Sequence, residues 1–209
     1  WSGVRLSPSL LGVSQAALTF IVATHREDRP LARCLDSIKG QLEPADEVIV
    51  VCDVHDGPLP GVAATVAAYG SQFRCLSYDA GHHCWGPCQH NYAMQQAKGD
   101  YIHLNDDDDI WAEDAAHKMR LVAKAFPGKV LLFRFVSYIG RVVYWTDVGR
   151  MERDFIGGHC LVTPNVPDKI GRFGCQYNGD YDWIEQTVNN FGGPQEAIWV
   201  NDIVAYARP

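Results

Sequence analysis

The sequence predicts an α/β sandwich with a parallel, ligand-binding half followed by a mixed, partly antiparallel rear half. Two observations carry that expectation. Short apolar runs suited to buried strands alternate with helix-spaced patterns through the first half of the 209-residue chain. One of these runs, Tyr101-Ile102-His103-Leu104, leads through Asn105 into four consecutive carboxylates, Asp106 to Asp109. Open α/β sheets bind ligands at the carboxyl ends of their strands, so a strand ending in ligand-type side chains marks the functional edge.

The elements follow in order. Leu18 to Ala23 is a short apolar run, as a buried parallel strand requires. Pro30 opens a helix whose apolar positions Leu31, Cys34, Leu35, Ile38 and Leu42 follow helical spacing. Glu47 to Cys52 reads as a second buried strand, Pro60 to Tyr69 as a short helix and Phe73 to Ser77 as a third strand. Pro87 to Ala97 is a helix stopped by Lys98-Gly99. Beyond Trp111 a helix runs to about Phe126, before Pro127-Gly128. Lys129 to Tyr138 and Arg141 to Thr146 form a hairpin turning at Ile139-Gly140. Asp147 to Gly157 is polar and irregular, a candidate mobile loop. His159 to Thr163 is a strand, Asp180 to Phe191 a helix with Ile184, Val188 and Phe191 inward, and Ala197 to Ala207 a closing strand.

Composition narrows the function. A net charge of −7, from 18 basic and 25 acidic residues, does not suit a nucleic-acid backbone as the partner. A nucleotide remains possible as a ligand, because a metal can supply positive charge locally. Nothing in the sequence is apolar for the roughly 18 residues that a membrane span needs. Residues 1–16 read as an N-terminal arm, with no clear signal peptide. The seven cysteines are odd in number, and several sit inside strand or helix patterns; a reducing cytoplasm is the compartment expected. His82, Cys84, Cys88 and His90 cluster, but C-x₃-C without a second pair is loose spacing for zinc, and a loop leading into a helix is the preferred reading.

Four adjacent carboxylates repel one another unless they are solvated or a hard cation takes their oxygens. A solvated acidic loop is the usual explanation for such a run. The strand before it and Ile110-Trp111 after it favour a built site instead, in which a divalent ion would hold a diphosphate. Asp106 and Asp108 lie two apart, so in an extended segment they would point the same way.

Several segments, taken in order, resemble family 2 glycosyltransferases of the GT-A fold across residues 17 to 207. Val22-Ala23-Thr24-His25-Arg26 is similar to the end of the family's first strand. Leu35-Asp36-Ser37-Ile38-Lys39-Gly40-Gln41 carries its Leu-x-Ser-Ile-x-x-Gln signature. Val48 to Asp53 stands where the family has a strand ending in Asp. Gly86-Pro87-Cys88-Gln89-His90-Asn91 is similar to its Gly-x-x-x-Arg-Asn helix start. Ala97 to Ile102, leading to Asp106-Asp107-Asp108, is similar to its approach to the D-x-D motif. Cys175 to Ile184 resembles its acidic motif, with Asp180 at the Asp position.

The resemblance implies a Rossmann-like three-layer α/β/α sandwich, the GT-A fold, with a mixed, mostly parallel sheet in one domain over residues 17–209. It implies an inverting transferase moving a sugar from a nucleotide-diphosphate donor, with UDP-sugar expected, to a sugar, lipid-linked or protein acceptor. Thr24, Arg26, Asp53, His90, Asp106 and Asp107 fall at the nucleotide, Asp108 and Asp106 at Mn²⁺ or Mg²⁺. Asp180 is the expected base, with Asp182 the runner-up; Asp180 could also simply cap its helix. His159 reads as a core histidine, with a third metal or acceptor contact as the alternative. Trp85, Tyr181 and Trp183 are candidate sugar platforms or core residues.

The chain departs from the family pattern where Cys52-Asp53-Val54-His55-Asp56-Gly57 replaces Asp-Asp-Gly-Ser. His90 replaces the usual Arg, His25 a common Tyr, and Gly179 an acid. A related nucleotidyltransferase would need a glycine-rich loop after the first strand, and Thr24 to Asp28 has no glycine. A non-catalytic carbohydrate- or protein-binding relative would have no need of the D-x-D motif or the base.

Overall fold

The computed structural model describes residues 16–25, 30–81, 86–137, 142–143 (backbone only), 148–149, 151–153, 156–174 and 179–207. The arm expected at residues 1–16 lies outside this set except for Ala16. Arg26, Trp85, Cys84, the turn at Ile139-Gly140, much of the loop from Asp147 and the segment Cys175 to Asn178 also lie outside it.

Four parallel strands form one side of the sheet: β1 (Leu18–Thr24), β2 (Glu47–Asp53), β3 (Phe73–Tyr78) and β4 (Tyr101–Asp106). The chain continues through β5 (Ile110–Trp111), β6 (Leu131–Val136), β7 (Val142–Val143), β8 (Leu161–Pro164) and β9 (Ile198–Tyr206). The nine strands lie in the order β3-β2-β1-β4-β8-β6-β9-β5, with β7 paired to β6. β8 runs antiparallel to both β4 and β6, while β9 returns parallel to β6. Parallel pairing carries most of the register, as expected.

Every residue of β1 is buried, because both faces of the sheet are covered. Phe20 and Val22 pack with helices α1 (Leu31–Lys39), α2 (Pro60–Ala67) and α4 (Ala115–Ala125). Ile21 and Ala23 point the other way, toward α3 (Pro87–Met94) and α5 (Gly179–Asn190). The apolar stripe Leu31, Cys34, Leu35 and Ile38 fixes the inward face of α1. Three layers result, and the carboxyl ends of β1, β2 and β4 come together between them.

The structure corrects several boundaries. α3 stops at Met94 rather than Ala97. The chain must turn there so that Gly99 can press against β1, where a Cβ would lie 2.7 Å from the Thr19 nitrogen. The strand expected from His159 begins instead with a single 3₁₀ turn, Gly158–Cys160. β5 was not expected: its two residues are too few to show a period, and pairing with β9 defines it. The hairpin is present as Phe135↔Val143 and Val136↔Val142.

Opposite the acidic end, a buried ion pair joins three elements. Arg120 Nη1 on α4 donates to Asp46 Oδ2 at 2.6 Å, and Nη2 to the Gln41 carbonyl at 2.8 Å. Asp46 also accepts the backbone N–H groups of Leu18 and Glu43, both at 2.8 Å. Removing one partner of such a pair leaves a buried charge uncompensated. Arg120→Ala is expected to cost about 3–5 kcal/mol in urea denaturation with an unchanged m-value. A loss under about 1 kcal/mol would show that Asp46 is satisfied by its backbone donors alone.

Candidate active site

The acidic run leaves β4 and turns within one short loop, closed by the Asp109 N–H donating to the Asp106 carbonyl at 3.2 Å. Each end of the loop is pinned. Thr24 Oγ1, at the end of β1, donates to Asp107 Oδ2 at 2.5 Å. Cys34 Sγ on α1 lies 3.4 Å from the Asp106 carbonyl. Downstream, the Trp111 N–H donates to Ser37 Oγ at 3.0 Å. Gln41 Nε2 donates to the Ala112 carbonyl at 2.8 Å, and Gln41 Oε1 accepts the Ala116 N–H at 3.1 Å. The Ser37 and Gln41 of the α1 signature therefore act as clamps on the exit of the loop.

The four carboxylates meet different surroundings. Asp107 is buried against Thr24. Asp106 faces a cavity of about 70 Å³ that is also lined by His90, Gly158, His159, Phe173 and Asp180. Burial pushes its carboxyl up to about 7; His159 opposes that shift, and Asp109, Asp180 and Asp108 add to it. Asp109, also buried, bonds His159 Nε2 at 2.5 Å. Burial alone would lower the His159 pKa. The bond to Asp109 and the charges of Asp109, Asp106 and Asp180 raise it to about 9 instead.

The ligand atoms of Asp106, Asp109 and His159 all lie within 4.8 Å of one another. Two carboxylates and an imidazole form a donor set that suits Mn²⁺ once the ring gives up the proton it shares with Asp109, and that accommodates Mg²⁺ through the oxygens. This arrangement departs from the expectation for Asp108. That residue is half-buried and outside the cluster, because the turn carries Asp109 back beneath Asp106. Sequence reasoning left Asp109 out of the metal pair and preferred a core role for His159, with a third metal or acceptor contact as the alternative. The signal that could have found it was Gly157-Gly158 before His159, a backbone free to fold closely onto a ligand site.

Asp180 stands in the first turn of α5, with Oδ2 accepting the Gly158 N–H at 3.1 Å. A Cβ on Gly158 would lie 3.4 Å from that oxygen. Gly179 replaces the acid of the family motif where a Cβ would sit 2.9 Å from the Gly174 carbonyl oxygen. Asp182 faces elsewhere and pairs with Arg153 Nη2 at 2.6 Å. Trp183 is fully buried and stacks on Phe173 at 4.4 Å, so it belongs to the core and offers no sugar platform. Tyr181 is half-buried under the Arg153 guanidinium, 4.6 Å from its ring centroid.

The remaining nucleotide candidates divide. Asp53 is half-buried at the end of β2, accepting from the N–H groups of His55 and Ala80 and from Gln89 Nε2. Thr24 and Asp107 turn toward each other and are 1% and 3% exposed, which gives them the role of shaping the loop. His90 lines the cavity beside Asp180. Cys88 takes part in a disulfide, so its sulfur is not a zinc ligand. Cys34, Cys52, Cys75 and Cys160 are free. No helix among the described residues is long and apolar enough to cross a membrane.

The model of glycosyl transferase family 2 matches residues 19–182. The chain belongs to this family. The family's reaction class is glycosyl transfer, and the fold is GT-A. No curated protein matches the sequence. A crystal structure of S. aureus TarS superposes with a TM-score of 0.75 at 16% identity, covering 92% of this chain and 37% of that one. TarS 1-349 in complex with UDP-GlcNAc gives 0.74 at 17%, covering 91% and 58%. TarS 1-349 in complex with UDP gives 0.73 at 16%, covering 91% and 60%. The chain thus spans between about a third and three fifths of the length of these structures.

The clamp from α1 has a measurable consequence. Gln41→Leu keeps the volume and removes the bonds to Ala112 and Ala116. It is expected to cost about 1–3 kcal/mol by denaturation and to lower transfer activity with it. A variant with wild-type stability and activity would show that the acidic loop holds its shape without α1.

Proposed function

We propose that this domain transfers a glycosyl group from a nucleoside-diphosphate sugar, with a uridine nucleotide as the donor, and inverts the anomeric configuration. The observation that carries the reading is the convergence of Asp106, His159 and Asp180 on one cavity. Family membership supplies the reaction class. The UDP-GlcNAc and UDP complexes of TarS, on the same fold, support a uridine nucleotide.

Asp180 is the proposed base. It removes the proton of an acceptor hydroxyl as that oxygen bonds to the anomeric carbon, while the bond from that carbon to the diphosphate oxygen breaks. The bonding pair leaves with the nucleoside diphosphate. The Gly158 N–H holds one carboxylate oxygen and leaves the other to face the acceptor. Asp182 is unsuited to the role because it is engaged by Arg153. Asp106, Asp109 and His159 would hold a divalent cation, and this assigns to Asp109 the place that the D-x-D pattern gave to Asp108. Such an ion neutralises charge developing on a diphosphate leaving group. Asp53, braced by three donors at the end of β2, is the proposed contact for the base or ribose.

Asp180→Asn keeps the shape and the bond from Gly158 but cannot take up the acceptor proton. Transfer is expected to fall on the order of a hundredfold to ten-thousandfold, with calorimetric affinity for UDP unchanged. Asp182→Asn should stay within a few-fold of wild type. If Asp180→Asn transfers sugar at the wild-type rate, the base assignment fails; if only Asp182→Asn is inactive, the base lies two positions further along.

A further inference from the structure

We infer that His90 is a specificity-determining residue that hydrogen-bonds a hydroxyl of the transferred sugar, rather than a nucleotide contact. The inference rests on the donor reading above and names which part of the donor this residue reads.

Position comes first. Gly86, at φ 94°, makes the turn that brings the first helical turn of α3 over the end of β1. The His90 N–H then donates to the Gly86 carbonyl at 2.9 Å, which fixes the side chain at the cavity shared by Asp106, His159 and Asp180. That cavity is far smaller than the ~300 Å³ or more of a pocket for a whole drug-sized ligand. It is lined by the proposed base Asp180 and not by Asp53, the nucleotide candidate on β2.

The second observation is an unpartnered atom. His90 is only 7% exposed, yet its buried Nε2 has no hydrogen-bond partner within the protein. Leaving a buried polar atom unsatisfied is costly, so native sites keep such atoms for a ligand or an ordered water. The Phe173 ring, 5.4 Å away at 38°, packs against the imidazole and restricts its rotation.

The third is charge. Burial lowers the His90 pKa to about 4; Asp180 opposes that shift and His159 reinforces it. The ring is neutral at physiological pH, with one donor and one acceptor nitrogen. A neutral imidazole among the carboxylates Asp106 and Asp180 makes no charge-assisted contact with a phosphate, as an arginine would. One ring nitrogen bonds the Asn105 backbone, which leaves Nε2 as the acceptor of the neutral ring, and a sugar hydroxyl can donate to it. The replacement of the family's Arg by His90 thus changes what this position can bind.

Calorimetry without acceptor, in Mn²⁺, tests the assignment. UDP is compared with UDP-glucose, UDP-galactose and UDP-GlcNAc on the wild type, and the tightest-binding sugar nucleotide is carried forward. His90→Ala should leave UDP affinity unchanged and weaken the sugar nucleotide about tenfold, the loss of roughly one hydrogen bond to a buried group. His90→Gln, which keeps a neutral donor and acceptor, should recover part of that loss and controls for folding. Equal weakening of UDP and sugar nucleotide would return His90 to the nucleotide and overturn the inference. Unchanged affinities for both would overturn it too, showing that Nε2 faces only water. A wild type that binds no uridine nucleotide is a different result, because it removes the donor reading on which the inference stands.

Discussion

Burying negative charge at the end of a central strand is the constraint around which this molecule is arranged. β4 leads four consecutive carboxylates out of a sheet covered on both faces, and Asp107 and Asp109 are buried where an ionised group loses its hydration. The structure divides the load. Asp107 takes the Thr24 hydroxyl, and Asp109 takes His159. Asp106 is left facing a cavity with its carboxyl raised to about 7 by burial, His159 opposing that shift and neighbouring acids adding to it. A loop so charged would open toward water unless its backbone were held. Ser37, Gln41 and Thr24 do that holding from outside the run.

The rest of the site follows from this arrangement. The Gly158–Cys160 turn replaces the first residues of an extended strand so that His159 can reach Asp109. The same turn aims the Gly158 N–H at Asp180, linking the α5 carboxylate to the cluster of Asp106, Asp109 and His159. Asp180 and Asp182 sit in the same first turn of a helix, but only Asp180 lines the cavity. Arg153 holds Asp182 in one exposed ion pair, an interaction of small energy but definite direction.

Most of the fold was legible because β1 and β2 are largely apolar runs, β4 begins with the β-prone Tyr101 to Leu104, and α1 carries a full apolar stripe. The order of motifs singled out Asp106 and Asp180, and both line one cavity. What the sequence could not display was how a four-residue acidic loop bends. An extended reading points Asp106 and Asp108 the same way, whereas the turn brings Asp109 beside Asp106 instead. Similarly, His159 beside Cys160 and Leu161 has the local pattern of a core strand; its role depends on a partner 50 residues away. Trp183 illustrates the converse, an aromatic near a base that turns inward because its helix face is the core face.

The central claim is that Asp106, Asp109 and His159 hold a cation against the diphosphate of the donor. Calorimetric titrations of Mn²⁺ with and without UDP, and of UDP with and without Mn²⁺, measure the coupling between the two ligands directly. Linkage requires the same factor in both directions, and the claim predicts a factor of at least about ten in the wild type. Asp109→Asn should collapse that factor toward one while Asp108→Asn retains most of it. Independent binding of Mn²⁺ and UDP in the wild type would contradict the account.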